Sequence, residues 1–440
     1  MDAGLFASYY KAYKAETTML DINFIRQQPE QVRAALSLRD AGANLENVLA
    51  LDLERRELLQ QTETLKSERN RVSKEIGRMK TAVDRENHIT EMRAVGDRIS
   101  NLDEQVRAVE NRLRALMLEI PNMPEPGTPH GESDEHNVTV REVGVQRDFD
   151  FYPKPHWEIG NELGIIDFER GVKLSGSRFY VLNGAGARLQ RALISFMLAL
   201  HGRQGYAERY LPFMVKEANF EAAGQLPKFA DNIYHDAEDD AWFVTTAEVP
   251  LTNLHRDEIL STDELPRYYT AYTPCFRREK VAAGKDVRGI KRGHQFDKVE
   301  MYAFTRPEQS SDAFHKMVAD AEQTCGELGL PYRVRQLCSG DLGFSSSITY
   351  DIEAWSPGCD EWLEVSSVSN CGDFQARRAN TRFRRKKGAK PTFVHTLNGS
   401  GLGLPRTLIA VLENYQQADG SVVIPKALRQ WMPGEVVISA

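Results

Sequence analysis

Cysteine is scarce: five in 440 residues, at Cys275, Cys325, Cys338, Cys359 and Cys371, with no C-x-x-C pair. An odd number without paired spacing argues against a disulfide framework and against a cysteine-based zinc site, and fits a reducing cytoplasm. No run of 18 apolar residues occurs, so no membrane-spanning helix is expected; the longest apolar-rich segment, Ala192 to Leu200, reads as a buried helix. A basic excess is also missing. Lys plus Arg number 56 against 63 Asp plus Glu, a net charge of −7, which weighs against a uniformly basic nucleic-acid binder but leaves room for a local basic patch. The first eighteen residues lack arginine and the apolar core of a secretory signal, so neither a signal nor a transit peptide is expected. Met19-Leu20-Asp21-Ile22-Asn23 looks like a natural chain start, which makes 1–18 an extension of unknown role. There is no Rossmann glycine fingerprint, internal repeat or low-complexity tract.

What is present points to two or three domains of an ordinary folded protein, 41% hydrophobic and 27% charged, so global disorder is excluded. Pro29 and Glu30 open a helix that runs through Leu36, without a side-chain N-cap before the proline. Leu51, Leu58, Leu65, Val72 and Met79 then recur every seven residues. After a polar break at Thr81 to Asn87, Met92, Ile99, Val106, Leu113 and Ile120 form one seam, and Val95, Leu102, Val109 and Leu116 a second. This is the a/d pattern of a coiled coil, and so short a break predicts an antiparallel hairpin. Near its tip, Lys66, Arg69, Arg71, Lys74, Arg78 and Lys80 face only Glu68 and Glu75, a basic stretch that is either a solvated face or a phosphate contact.

Pro121 to Gly127 ends the arm as a linker. Beyond it, strand-like runs at Arg178 to Leu182, Trp242 to Thr245, Tyr268 to Tyr272 and Lys298 to Phe304 alternate with helices near Ala187 to His201 and Pro307 to Leu328. That mixture predicts an α+β domain on an antiparallel sheet. Within it, Pro274 to Glu300 is a strand, a loop carrying Lys280, Lys285, Arg288, Lys291 and Arg292, and a returning strand. Arginines on a glycine-containing loop can close over phosphates, although a solvated hairpin would look the same.

Several motifs carry a specific resemblance. Phe276-Arg277-Arg278-Glu279, followed by a loop and Gly293-His294-Gln295-Phe296, resembles motif 2 of the class II aminoacyl-tRNA synthetases. Asn398-Gly399-Ser400-Gly401 to Pro405-Arg406-Thr407 and on to Glu413-Asn414 resembles motif 3, and Gly186 to Pro212 more weakly motif 1, which supports the dimer in that family. Thr246-Ala247-Glu248-Val249-Pro250, and Glu364-Val365-Ser366-Ser367 through Asp373 to Arg378, are similar to the seryl branch. The likeness covers about residues 19–433 and implies a hairpin arm over 19–125 and a class II catalytic domain over 126–440 that activates serine with ATP and transfers it to tRNA(Ser).

The resemblance implies roles residue by residue. Arg277 would bridge the ATP α-phosphate and the serine carboxylate, Arg406 the γ-phosphate, and Arg292 the β/γ end. Phe296 would stack on adenine and Glu279 bind its amino group. Glu364 and Ser367 would ligate Mg²⁺. Thr246 and Glu300 would bind the serine ammonium, Glu300 and Ser400 its hydroxyl, Glu248 would belong to the serine-binding set, and Asn398 would help order the pocket. The arm would reach the partner subunit of a homodimer and grip the long variable arm of the tRNA, which places Lys66 to Lys80 on RNA. Departures from the family pattern at Thr245, Lys280-Val281, Gly293 and Gly403-Leu404-Pro405 remove none of these groups. Two other readings remain open at this point: a paralogue that passes seryl-adenylate to another acceptor, and a non-catalytic coiled-coil interaction protein.

Overall fold

The computed structural model describes residues 20–39, 44–77, 82–280 and 288–440. The extension 1–18 lies outside them, as do Arg78, Met79, Lys80 and Lys285. The chain divides into two compact units, Leu20–Pro121 and Asn122–Ala440.

In the first unit, two short helices, α1 (Ile22–Gln27) and α2 (Pro29–Ser37), precede the long helices α3 (Leu45–Ile76) and α4 (Ala82–Leu118). Asp21 caps α1 by accepting from the Asn23 N–H, whereas α2 starts on its proline with no side-chain cap. Along the coiled-coil seam Leu51, Val72, Ile99, Val106, Val109 and Leu113 are buried, as the heptads require. Helix α4 begins at Ala82, earlier than the polar break suggested. Polar residues such as Glu86 and His88 sit comfortably in a solvated helix, so polarity alone does not mark its start. A buried carboxylate ties the short helices to the arm. Asp52, with a side chain 1% exposed, accepts from Arg26 Nε at 2.7 Å and a second Arg26 nitrogen at 3.1 Å, and also from Arg55 and Arg56. Burial works against its charge, but the arginines outweigh it and hold the carboxyl below its ordinary value.

The second unit is built on an eight-stranded sheet. Its strands are β1 (Val138–Val143), β2 (Ala207–Glu208), β3 (Arg267–Phe276), β4 (Gln295–Thr305), β5 (Tyr332–Gln336), β6 (Ile348–Ser356), β7 (Glu361–Asn370) and β8 (His395–Gly403). Their order is β1-β5-β6-β7-β8-β4-β3-β2, antiparallel throughout except for β2 beside β3. One face is covered by α5 (Gly184–Arg203), α6 (Ser310–Leu328) and α7 (Leu404–Asn414), whose Leu193, Phe196, Met317, Ala321, Leu408 and Leu412 join Val299, Met301 and Ala303 of β4 in the main core. Helix α7 is buried over almost its whole length, which its run of Leu, Ile, Val and Ala explains; Arg406 is its one partly exposed residue. The opposite face carries a smaller cluster around Tyr302, Phe304 and Phe383 and, beyond it, an open cavity. Among the described residues no helix is long and apolar enough to cross a membrane.

The return of the basic loop is pinned from behind. Ile290 N–H donates to His156 Nε2 at 3.1 Å, and His156 Nδ1 meets Glu413 Oε1 of α7 at 2.9 Å. Gly289 has φ +73, and a Cβ there would lie 2.0 Å from His156 Nε2, so only glycine fits.

We expect Asp52→Asn to weaken the junction of α1 with α3 by about 2 kcal/mol, because four charge-assisted hydrogen bonds from three arginines lose their anion. Amide hydrogen exchange over residues 22–60 of the full chain would show it as lost protection; unchanged protection would mean the cluster is decorative. The same contribution should fade as pH falls below 3.8 and through the depressed folded value, since a lowered carboxyl pKa stabilises only above it.

Candidate active site

A strand presents every second side chain to the same face, and β4 uses this twice. Phe296, Lys298 and Glu300 point into the open cavity, while Val299, Met301 and Ala303 face the core. Two neighbouring strands break the alternation once each. In β7, Ile352 pairs with Ser366 and Glu353 with Glu364, so Val365 is an extra residue. Leu363 and Val365 face the core before this bulge and Val368 after it, and Glu364 and Ser367, three apart, both line the cavity. In β8 the pairing skips from Ser400 to Leu402. Gly401 occupies the gap, where a Cβ would lie 2.2 Å from His201 Nε2. Asn398, Ser400 and Gly403 accordingly share the cavity.

The cavity measures about 360 Å³. Its lining brings together Glu248, Arg277, Glu279, Arg292, Phe296, Glu300, Glu364, Ser367, Asn398, Ser400 and Arg406, drawn from positions 248 to 406 of the chain. Thr246 stands directly behind, 2% exposed, with its Oγ1 donating to Glu300 Oε2 at 3.2 Å. Arg277 is fixed at three points. Its amide N–H donates to the His294 carbonyl, its Nε donates to the Thr245 carbonyl at 3.2 Å, and its guanidinium lies 5.0 Å from the centre of the Phe296 ring. Glu279 has a left-handed φ of +52, which folds its side chain back so that Arg292 donates to Glu279 Oε2 at 3.0 Å. Arg406 donates to both the carbonyl and the Oε2 of Glu364.

Of the other loop cations, Arg288 lies over Trp157 at 4.5 Å and Lys291 pairs with Glu361. In the arm, Lys66 pairs with Asp103 at 3.0 Å and Arg71 with Glu75 at 3.1 Å, while Arg69 and Lys74 show no such pair among the described residues.

Three contributors were not anticipated. Lys298, 8% exposed, pairs with the buried Glu300 at 2.5 Å. Its place between Phe296 and Glu300 at strand spacing was the signal that could have found it. Gln375 donates to Glu248 Oε1 at 2.6 Å, and Asn398 Nδ2 does so at 3.3 Å. Burial first, and then the charge of Glu300, push Glu248 up to about 7. Asp351 is the third. Its Oδ1 is buried without a hydrogen-bond partner among the described residues, and burial followed by Glu364's charge raises its carboxyl well above the usual range. Asp351, Glu364 and Ser367 offer oxygen donors alone, the set a hard divalent cation such as Mg²⁺ takes. A different set, His156, Cys359 and Glu413, has ligand-type atoms within 4.8 Å of one another. Its ring nitrogens and carboxylate already serve the hydrogen bonds that hold Ile290, Ser356 and Gly358.

Two family descriptions match the sequence: a seryl-tRNA synthetase N-terminal domain over residues 19–124 and a class II tRNA synthetase core domain (G, H, P, S and T) over 231–415. A serine–tRNA ligase of Roseiflexus sp. (strain RS-1) is 63% identical over 421 residues, 96% of this chain and 99% of the relative. Among solved structures, the seryl-tRNA synthetase from Pyrococcus horikoshii complexed with ATP is 37% identical with a TM-score of 0.91, covering 96% of this chain and 99% of that one. The cytoplasmic serine–tRNA ligase from Naegleria fowleri in complex with AMP is 30% identical with a TM-score of 0.86, at the same coverage.

Lys298→Met should destabilise the second unit by about 3 kcal/mol, since Glu300 would stay buried without its cation. Adding Glu300→Gln should recover part of that loss in thermal unfolding. If the single variant melts like the parent, the pair contributes nothing net.

Proposed function

The chain belongs to the seryl-tRNA synthetase family, and from that premise we propose how its residues divide the work of a serine–tRNA ligase, which joins serine to ATP as seryl-adenylate and then passes it to the 3′ end of tRNA. The observation that carries the assignment is the meeting of Arg277, Phe296, Glu300, Glu364 and Arg406 in one cavity.

In the first step a serine carboxylate oxygen attacks the α-phosphorus and pyrophosphate leaves. The carboxylate is already a nucleophile, so no general base is required; positioning and charge neutralisation lower the barrier. Arg277 takes both the serine carboxylate and the α-phosphate; the hydrogen bond from its Nε to the Thr245 carbonyl, which holds it so that little reorganisation is needed, supports that role. Adenine stacks on Phe296, beside Glu279. Phosphate oxygens compete with Glu279 for Arg292 and with Glu364 for Arg406, so the resting ion pairs keep these cations aimed until ATP arrives. Mg²⁺ held by Glu364 and Ser367 would offset phosphate charge. Asp351 stands behind them as a further oxygen donor.

The serine ammonium is taken by Thr246, Glu248 and Glu300. Glu248, poised at about 7, ionises readily once a cation lies beside it. Glu300 and Ser400 take the hydroxyl. An alanine in that place would deny Glu300 and Ser400 the hydrogen bonds they make to the hydroxyl, which supports discrimination of about 10⁴-fold. In the second step a ribose hydroxyl of the terminal nucleotide attacks the seryl carbonyl carbon, the bond to AMP breaks, and the proton can pass to the departing phosphate.

Residues 19–125 serve as the tRNA-binding arm and 126–440 as the catalytic domain. Lys66, Arg69, Arg71 and Lys74, continuing to Arg78 and Lys80, meet the phosphates of the tRNA's long variable arm, a double-stranded feature read by shape and backbone. The enzyme works in the cytoplasm as a homodimer. Exposed apolar surface near the motif 1 segment, with Tyr210 87% and Met214 48% exposed, supports such an interface.

Two assays on one preparation test this reading: serine-dependent exchange of pyrophosphate into ATP, and transfer of labelled serine to tRNA. Arg277→Ala should cut exchange by about 10²–10³-fold; near-parental exchange would remove Arg277 from the chemistry. Arg69→Ala/Lys74→Ala should leave exchange intact, raise the KM for tRNA, and flatten its dependence on salt. An unchanged KM would return the stretch to a solvated face.

A further inference from the structure

The row of side chains that β4 sets into the cavity continues past Glu300. Two residues on, Tyr302 lies on the same face, and on β8 Thr396 stands two residues before Asn398. Both are fully buried, and both hydroxyls donate to one atom, the Oε1 of Gln375, at 2.9 and 2.7 Å. Gln375 belongs to a short helix, Phe374–Ala379, and is itself fully buried. Its Nε2 donates to the Ala223 carbonyl at 3.2 Å and to Glu248 Oε1 at 2.6 Å.

A carbonyl can only accept, so Ala223 fixes which end of this amide is the nitrogen. With both N–H donors used and two hydroxyls on the oxygen, Gln375 is left one orientation. That orientation aims an N–H at Glu248 before any ligand arrives. Asn398 adds a weaker donor to the same Oε1 at 3.3 Å. Among the described residues none donates to Glu248 Oε2, and Glu248 lines the cavity. The titratable groups that face Glu248 are Glu300, Lys298, Arg277, Cys371 and Tyr302. Gln375 is neutral, so it supports the carboxylate without cancelling a charge that an ammonium can use.

We propose that Gln375, held by Tyr302 and Thr396, is a positioning residue for serine recognition: it engages one oxygen of Glu248 and turns the other to the serine ammonium. The proposal rests on the assignment of Glu248 to that ammonium. A hydrogen bond to a carboxylate also favours its ionised form. This one works against the burial and the Glu300 charge that push Glu248 up to about 7. Without the donor the carboxyl moves higher still, and the serine affinity that needs its charge is lost at a higher pH as pH falls.

The test measures serine-dependent pyrophosphate exchange by the full chain from about pH 6.5 to 8.5, across the range where Glu248 titrates. The probe is 3-hydroxypropionate, serine without its amino group, as a competitive inhibitor. Gln375→Met keeps the side-chain length and removes both polar ends. It should raise the KM for serine about tenfold near neutral pH, the equivalent of one hydrogen bond to a charged group. Its serine KM should recover at higher pH, along a profile displaced upward by about one pH unit. The KM for ATP and inhibition by 3-hydroxypropionate should stay within about twofold of the parent, since neither involves the ammonium contact. Tyr302→Phe should act in the same direction by about threefold, one neutral hydrogen bond, and carries the comparison if Gln375→Met does not fold. A parental serine KM and pH profile, or serine and 3-hydroxypropionate weakening together, would overturn the proposal. Glu248→Gln with a parental serine KM would sink the assignment of Glu248, and this proposal with it. A raised KM in Glu248→Gln beside a parental one in Gln375→Met would sink this proposal alone.

Discussion

Side chains on a strand alternate between faces, and the floor of this site exists because β4 keeps that alternation while β7 and β8 each break it once. The unbroken strand sets Phe296, Lys298 and Glu300 in a row, with the core directly behind them. The two bulges bring Glu364 beside Ser367, and Gly403 onto the face of Asn398 and Ser400. Everything else the cavity contains is arranged around that floor. Arg406 reaches it from a helix too buried to shift easily, and Arg277 from the end of β3, held by a carbonyl of the segment that also carries Thr246.

The charges on this floor are arranged before any substrate arrives. Glu279 with Arg292, Glu300 with Lys298, and Glu364 with Arg406 are three acid–base pairs within one cavity. A guanidinium left alone in such a place would be solvated and mobile. Paired, each waits in a defined position, and in the roles proposed for Arg292 and Arg406 a phosphate has only to displace one partner. The cost of burying so many charges is offset by their mutual compensation and by the hydrogen bonds that satisfy the remaining atoms.

The sequence made much of this legible, and the gaps have physical reasons. The hairpin could be read because heptads repeat locally, and Leu51, Val72, Ile99 and Val106 are buried where the period put them. The α+β class, the long strands around Arg267 to Thr305 and the helix ending at Leu328 followed from pattern and breakers. The candidate residues emerged from motif resemblance; periodicity alone would have left Phe296 in the core and Arg277 on the surface. What stayed hidden depends on contacts distant in sequence. Gln375 supports Glu248 from 127 positions away, and Asp52 gathers Arg26, which nothing in its own helix foreshadows. Bulges are silent as well, because Val365 is an ordinary strand residue until the pairing of its neighbour is known.

The extra residue at Val365 makes length a heritable constraint as strict as composition. Adding a further residue there would slip the rest of β7 by one, carrying Val368 toward the cavity and Ser367 toward the core. Adding one to β4 would exchange Lys298 and Glu300 for their apolar neighbours. Substitutions along these strands can be absorbed singly, whereas an insertion or deletion of one codon acts on every later side chain at once. Lineages of this enzyme are therefore free to drift in residue type here while being held to a fixed spacing, and gaps should gather in the loops that join the strands.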